Sequence, residues 1–217
     1  MEGLGIKEGG QSMKIFICGD STAADYDPAK TVQTGWGQAL RELMPEAEIR
    51  NHAMAGRSTR TFLGEGRLDR VMEEIGPGDL MLIQFAHNDE NREKPERFTE
   101  PRGAYQENLR IFIEAARSRN AVPVLLTPIC LRIWQDGALT DTHGEYRAAM
   151  EAVAESCGVP LIDAYRESFR IVQEAGEEGS RELFMPEDIA HTGREGAARF
   201  AQAIAKAIRE LRMPEKA

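Results

Sequence analysis

Short apolar runs alternate with helical patterns along this chain of 217 residues, and this alternation constrains the fold more than any other feature. Five apolar runs are interpreted as strands, at residues 14–18, 47–52, 79–85, 122–128 and 159–162. Five patterns predict helices, at about residues 37–44, 67–75, 103–119, 145–157 and 195–212. The runs are continuous rather than alternating, which is typical of parallel strands buried on both faces. The pattern therefore predicts an α/β fold in three layers, with helices on both sides of one parallel sheet.

The chain is long enough for one α/β domain with a sizeable core, and a second full domain would be cramped. No linker, internal repeat or low-complexity tract divides it. Residues 1–12 contain four glycines and no apolar run of signal-peptide length. We therefore expect a flexible N-terminal extension at 1–12, a single domain at 13–217 and a cytoplasmic location, since no stretch approaches the length of a membrane span.

The net charge of −9 restricts the classes of partner. Nucleic acids and anionic membranes both require a positive surface, so neither is an expected partner. The three cysteines, Cys18, Cys130 and Cys157, have no metal-ligand or redox spacing and suggest no disulfide framework.

The first three strands end in polar segments that carry candidate reacting groups. Ser21 follows the first strand, Gly56 lies in the segment after the second, and Asn88 follows the third. Because the carboxyl ends of parallel strands meet at one edge of a sheet, these residues are expected to lie together. Acyl transfer requires a nucleophile such as a hydroxyl. It also requires donors, such as a backbone N–H and a side-chain amide, directed at the negative charge that develops on the tetrahedral intermediate.

Each of these residues also has a purely structural interpretation. Ser21 could cap a following helix, where its own N–H would still point toward a developing oxyanion. Gly56 could be a turn glycine, and Asn88 could stabilise an Asx-turn. We interpret Asp20 as a residue that stabilises its turn.

The pair Asp188 and His191 supplies the base that a serine nucleophile needs. The imidazole of His191 can accept a proton near neutral pH. Asp188, three residues earlier, can reach the second ring nitrogen if the segment forms a helical turn or a tight loop, and would then stabilise the imidazolium. The structural alternative is that Asp188 caps a helix and His191 is solvated in its first turn.

A hydrolytic metal centre is the competing chemical interpretation. Its candidate ligands are Asp20, His87, Asp89, Asp188 and His191, since Asp and His side chains near strand ends form hydrolytic metal centres. The sequence lacks an ordered ligand motif such as His-Glu-x-x-His, so the serine mechanism is preferred. We expect neither a metal nor another cofactor.

The ordered blocks Gly19-Asp20-Ser21, Gly56, His87-Asn88-Asp89 and Asp188-x-x-His191 resemble those of the SGNH (GDSL-type) hydrolases. The resemblance extends from residue 14 to about residue 212. The resemblance is sharper toward the rhamnogalacturonan acetylesterase branch. Gly19-Asp-Ser-Thr22, Ala55-Gly-Arg-Ser58 and His87-Asn-Asp89 resemble its versions of the blocks, and Asp141-Thr-His-Gly144 resembles a segment of its bacterial members. The joint occurrence of these blocks in this order is a far more specific signal of the family than any single block.

The resemblance implies a flavodoxin-like α/β/α sandwich with a central five-stranded parallel sheet. It implies a catalytic triad of Ser21, Asp188 and His191. It also implies an oxyanion hole formed by the backbone N–H groups of Ser21 and Gly56 and the side chain of Asn88. Ile189 and Ala190 replace residues that are often polar in the family, so contacts near the base can differ.

The function expected from this resemblance is removal of acetyl groups from pectin-derived rhamnogalacturonan-type oligosaccharides. Without a signal peptide, partly degraded oligosaccharides are expected rather than the intact polymer. Arg57 and Arg60 could pair with a galacturonate carboxylate, Trp36 or Trp134 could stack on a sugar, and His143 could contact substrate from a rim loop. The alternatives are a general short-chain esterase, thioesterase or lipase-like hydrolase acting on another small acyl ester, and a non-catalytic carbohydrate-binding protein.

Overall fold

A computed structural model describes residues 12–211 of the chain. Its central sheet contains five parallel strands. They are β1 (Met13–Gly19), β2 (Ala47–Asn51), β3 (Leu80–Gln84), β4 (Val122–Leu126) and β7 (Leu161–Ile162). Their order in the sheet is β2-β1-β3-β4-β7. All five apolar runs thus form strands of one parallel sheet, and the predicted fold class is confirmed.

Helices cover both faces of this sheet. In chain order they are α1 (Trp36–Leu43), α2 (Thr59–Gly64), α3 (Arg67–Glu74), α4 (Gln106–Ser118), α5 (Gly144–Cys157), α6 (Ala164–Gly179) and α7 (Arg194–Glu210). A π-helical turn (Pro101–Tyr105) precedes α4, and a 3-10 turn (Ser180–Leu183) follows α6.

The sequence patterns did not predict three of the elements. Helix α2 has only six residues, too few to show a helical period. The buried stripe of α6 includes Ser168, and its last turns are interrupted by Gly176 in a left-handed conformation. A short hairpin of β5 (Trp134–Gln135) and β6 (Ala138–Leu139) lies in the long segment after β4.

Alternate residues of β1 supply the cores on the two faces of the sheet. Ile15 and Ile17 pack on the face covered by α1, α6 and α7, whereas Phe16 and Cys18 pack on the other face. Trp36, at the start of α1, is fully buried in the first of these cores and donates its indole N–H to Gln84 Oε1 at 3.0 Å. The prediction that Trp36 could stack on a sugar is therefore wrong, because this side chain has no exposed surface.

The strand order places a crevice at the carboxyl ends of β1 and β3. From β1 the chain crosses to β2 on one side, and it then returns past β1 to form β3 on the other. Such a reversal leaves a gap between the two crossover connections, where α/β proteins bind their ligands. Ser21 follows β1 and Asn88 follows β3, so the topology brings both residues to this crevice.

No helix within residues 12–211 is both long enough and apolar enough to cross a bilayer. The extension expected at residues 1–12 lies outside the described residues except for Ser12.

Candidate active site

Ser21 lies in a tight turn directly after β1 and is 8% exposed. The amide and hydroxyl of Thr22 both donate to Asp20 Oδ1, at 2.9 and 2.7 Å, and the Tyr26 hydroxyl donates to the Ser21 carbonyl at 2.8 Å. The next helix begins only at Trp36. The interpretation of Ser21 as a helix cap is therefore wrong, and its N–H gains no assistance from a helix terminus.

The Ser21 hydroxyl is hydrogen-bonded to the candidate base. Its Oγ lies 2.9 Å from His191 Nε2, and His191 Nδ1 lies 2.8 Å from Asp188 Oδ2. His191 and Asp188 are about one-third exposed, whereas Ser21 is buried. This is the geometry in which an imidazole can take a proton from the hydroxyl while a carboxylate fixes the tautomer.

Asp188 also shapes the loop that carries the imidazole. Its Oδ1 accepts the backbone N–H groups of Ala190 and His191, at 2.7 and 2.9 Å. Burial opposes ionisation, but these amides and the His191 ring outweigh it and hold the pKa of Asp188 below its usual range. Since α7 begins six residues later, at Arg194, Asp188 forms a tight loop and does not cap a helix.

The remaining backbone of this loop is tied to two neighbouring segments. Thr192 accepts the amide of Thr34 and donates its hydroxyl to the Thr34 carbonyl, at 3.0 and 2.7 Å. Arg132, in the segment after β4, donates its amide to the Ile189 carbonyl at 2.7 Å. The base is therefore held from both sides although it lies in a loop.

The three donors predicted for the oxyanion hole are the amides of Ser21 and Gly56 and the side chain of Asn88. The amides of Ser21 and Gly56 donate to no other group within residues 12–211. Asn88 Nδ2 donates one hydrogen to the Arg57 carbonyl at 3.1 Å, which leaves its second hydrogen available. Asn88 Oδ1 accepts Arg97 Nη1 at 3.2 Å. Because a guanidinium can only donate, this contact fixes which end of the amide is oxygen and which is nitrogen.

Gly56 adopts a left-handed conformation that favours glycine, with φ of +77°. A Cβ built at this position would lie 3.3 Å from both terminal nitrogens of Arg97. Backbone conformation and a crowded neighbour both restrict this position to a residue without a side chain.

A buried pair of Asp20 and His87 joins the ends of β1 and β3. Asp20 is fully buried, and its Oδ2 lies 3.2 Å from His87 Nδ1. Burial disfavours the charged forms, but the contact outweighs it, so the pKa of Asp20 is lowered and the pKa of His87 is raised. The pair therefore links the turn of Ser21 to the segment of Asn88, a role beyond the turn stabilisation that was predicted for Asp20.

His143 lies beside His87, with ring centroids 4.5 Å apart. Its side chain has no exposed surface, and its Nδ1 bonds to Glu90 Oε2 at 2.9 Å. Burial and the positive His87 ring lower the pKa of His143. The prediction that its side chain contacts substrate from the rim is wrong for this arrangement, because the ring is packed inside.

The polar segment after β3 and the segment that leads from β4 into α5 border a cleft. The cleft has a volume of about 590 Å³ and is lined mainly by residues 90–93 and 143–146. His87 also lines this cleft, so the cleft adjoins the buried pair of Asp20 and His87.

Asp89 fastens the loop of Gly56 to the segment after β3. Its Oδ1 accepts the hydroxyls of Thr59 and Thr99, at 2.5 and 2.8 Å, and the Thr59 amide at 3.1 Å. Burial raises the pKa of Asp89 to about 7. The residue considered as a metal ligand thus holds together two loops of the candidate site.

The other residues proposed for the substrate have partners inside the protein. Arg57 pairs with Glu65 at 3.0 Å and with the Ala55 carbonyl at 2.8 Å. Arg60 donates to the Pro95 carbonyl at 3.1 Å. Trp134 is half-buried against the core, so its contact with a sugar stays a prediction.

The structure separates the five candidate metal ligands. Asp20 faces His87, Asp188 faces His191, and Asp89 faces threonine hydroxyls. Within residues 12–211, no three histidine, cysteine, aspartate or glutamate side chains are arranged to hold a metal ion.

Sequence reasoning missed Arg97 and the pairing of Asp20 with His87. Each residue lies next to or near a block that was recognised, but the contacts span 9 and 67 residues. Arg97 is one of several charged residues in the segment 90–101, and nothing in its local pattern distinguishes it. The adjacency of Asp20 to Ser21 and of His87 to Asn88 was the only available signal.

Comparison with known proteins supports the resemblance. Residues 17–199 match the GDSL-like Lipase/Acylhydrolase family. The chain is 38% identical over 205 residues to the probable rhamnogalacturonan acetylesterase YesY of Bacillus subtilis, covering 92% of this chain and 94% of that protein. It is 37% identical over 219 residues to the rhamnogalacturonan acetylesterase RhgT of the same bacterium, covering 94% and 93%. The resemblance predicted from the sequence blocks is confirmed.

Solved structures share the fold. The crystal structure of Bacillus subtilis YxiM matches with a TM-score of 0.83 and 28% identity, over 92% of this chain. This chain spans only 57% of that protein. Axe2, an acetylxylan esterase from Geobacillus stearothermophilus, matches with a TM-score of 0.71 and 18% identity, over 95% of this chain and 96% of the other.

Proposed function

Because the chain belongs to the GDSL-like lipase/acylhydrolase family, we propose that it is a serine acetylesterase acting on pectin-derived rhamnogalacturonan-type oligosaccharides. One observation carries the proposed chemistry, the hydrogen-bonded series Ser21–His191–Asp188 with distances of 2.9 and 2.8 Å. The acetylesterases YesY and RhgT, with more than a third of their residues identical, support the choice of substrate.

In the first half of the reaction, Ser21 Oγ forms a bond to the acetyl carbonyl carbon while His191 Nε2 accepts its proton. The ionised Asp188 stabilises the resulting imidazolium. Negative charge develops on the carbonyl oxygen, where the amides of Ser21 and Gly56 and the side chain of Asn88 donate hydrogen bonds. The carbon–oxygen bond to the sugar then breaks, and His191 protonates the departing alkoxide.

In the second half, the acetyl group is held on Ser21 as an ester. His191 takes a proton from water, and the resulting hydroxide attacks the acetyl carbon. The bond to Ser21 Oγ breaks, its oxygen regains a proton from His191, and acetate leaves. No cofactor enters either half.

The proposed function is tested by acetate release from a panel of substrates. The panel contains acetylated rhamnogalacturonan oligosaccharides, acetylated xylo-oligosaccharides, and p-nitrophenyl esters of acetate, octanoate and palmitate. The proposal predicts the highest kcat/KM on the first group. Equal turnover of long acyl esters would support a general esterase instead, and no hydrolysis of any ester would leave only a binding protein.

Replacing Asn88 with alanine should lower kcat by about 10²- to 10³-fold, because one of three donors to the oxyanion is removed. KM should change much less, since the donor acts mainly in the transition state. Steady-state kinetics on p-nitrophenyl acetate measures both constants. The midpoint of thermal unfolding serves as the control for folding. An Asn88→Ala enzyme of wild-type kcat would remove Asn88 from the proposed oxyanion hole.

The cytoplasmic location, the single domain at 13–217 and the lack of nucleic-acid and membrane partners stay predictions.

A further inference from the structure

Arg97 lies against two of the three proposed oxyanion donors. Its Nη1 donates to Asn88 Oδ1 at 3.2 Å, and both of its terminal nitrogens would lie 3.3 Å from a Cβ built on Gly56. The backbone that carries it is fixed, because Thr99, two residues later, bonds to Asp89 through both its amide and its hydroxyl. The guanidinium is therefore a positive charge that contacts two of the proposed oxyanion donors, Asn88 and Gly56.

Most of the donors of this guanidinium are not used inside the protein. Within residues 12–211, the contact with Asn88 is its only side-chain hydrogen bond. The neighbouring carboxylate of Glu96 is 3.8 Å from Nε and its side chain is 64% exposed, so the ion pair is weak. Arg97 itself is 29% exposed at the side chain, which leaves several N–H groups accessible.

The arginines predicted earlier for this role are less available. Arg57 is held by Glu65 and by a backbone carbonyl, and Arg60 is held by the carbonyl of Pro95. The protein as a whole carries a net charge of −9, which repels anions. An anionic substrate therefore needs a local positive charge with free donors, and Arg97 provides one.

We propose that Arg97 binds the carboxylate of a uronic acid residue in the substrate and thereby selects acetyl esters of anionic sugars. The proposal rests on the proposed acetylesterase function. A guanidinium matches a carboxylate with two parallel hydrogen bonds, which gives both affinity and orientation. In an O-acetylated uronate, the carboxylate belongs to the same ring as the acetylated hydroxyl. A carboxylate receptor beside the oxyanion hole is thus within the reach of one sugar residue.

The test compares acetylated galacturonate oligosaccharides with the same oligosaccharides after methyl esterification of their carboxylates. The wild type should prefer the free acid. Arg97→Gln should lower kcat/KM on the free acid by about 10- to 100-fold, mostly through KM, and should remove the preference. Arg97→Lys keeps the charge and should retain part of the preference for the free acid. Arg199→Gln, on α7 and paired there with Glu195, changes the net charge equally and should keep the preference.

Two results would overturn the inference while leaving the proposed function intact. One is a wild type that hydrolyses the free acid and the methyl ester equally well. The other is an Arg97→Gln enzyme whose kcat falls equally on both substrates, because Arg97 would then only orient Asn88. A wild type that hydrolyses no acetyl ester contradicts the proposed function, and the inference with it.

Discussion

Replacing Ser21 with alanine should lower kcat for acetyl ester hydrolysis by about 10⁴- to 10⁶-fold. The substitution removes the oxygen that lies 2.9 Å from His191 Nε2, and with it the covalent intermediate. Some acceleration over the uncatalysed rate should persist, because the proposed oxyanion donors and the binding of the substrate remain. Acetate release under saturating substrate measures the loss.

Ser118→Ala is the matched control for this variant. Ser118 lies at the end of α4, where its hydroxyl donates to the Ala115 carbonyl of the same helix. Removing this hydroxyl should leave kcat within about twofold of the wild-type value. Surface substitutions of this kind usually have little effect on stability. Ester hydrolysis that persists undiminished in Ser21→Ala would exclude the serine mechanism. Loss of wild-type activity upon chelation would instead revive the metal interpretation.

Replacing His87 with leucine should lower the free energy of unfolding by about 3–5 kcal/mol, because it leaves the carboxylate of Asp20 buried without its partner. Asp20 has no exposed surface and lies 3.2 Å from His87 Nδ1. Urea denaturation of the two proteins at pH 6 measures the difference. Combining Asp20→Asn with His87→Leu should recover part of the lost stability, since the buried charge is then absent.

The contribution of this pair to stability should depend on pH in a defined direction. The pKa of His87 is raised on folding, so its contribution is complete below the unfolded value of about 6.5 and is lost as the pH rises through the folded value. The pKa of Asp20 is lowered, so its contribution is complete above about 3.9 and is lost as the pH falls. The pair should therefore stabilise the protein most between about pH 4 and 6.5.

Denaturation at several pH values tests this sign. The difference in the free energy of unfolding between the wild type and His87→Leu should shrink as the pH rises above 6.5. Glu90 and His143, which also face His87, are present in both proteins. His52→Gln is the matched control, because burial lowers the pKa of His52 and its contribution has the opposite sign. A difference that grows above pH 6.5 would contradict a charged His87.

Local patterns were sufficient to predict the sheet. A strand whose side chains are apolar on both sides, such as the one that ends at Cys18, must be buried on both faces of its sheet. Short strands buried in this way are typical of parallel sheets. Helix α2 escaped prediction because six residues show no period, and α6 because Ser168 interrupts its apolar stripe. Where the period was clear, as in α7, the helix was predicted to within two residues of its C-terminal end.

The residues of the candidate site could be predicted where their chemical role depends on residue type and on order along the chain. Ser21, Asn88, Asp188 and His191 were selected because a weak nucleophile needs a base, an orienting carboxylate and a donor. Their roles stay predictions until the variants are measured. What the structure adds is their geometry, with His191 within hydrogen-bond distance of a serine 170 residues away.

The fold class and the set of groups at the sheet edge could be predicted from the sequence, because apolar periodicity and the residues after each strand are local properties of the chain. The sequence could not distinguish a cap from a turn at Ser21, since that depends on where the next helix begins. It could not find Arg97 beside Gly56 or His87 beside Asp20 either. Those contacts join segments that only the folded sheet brings together, and burial gives their charges an effect that sequence spacing does not reveal.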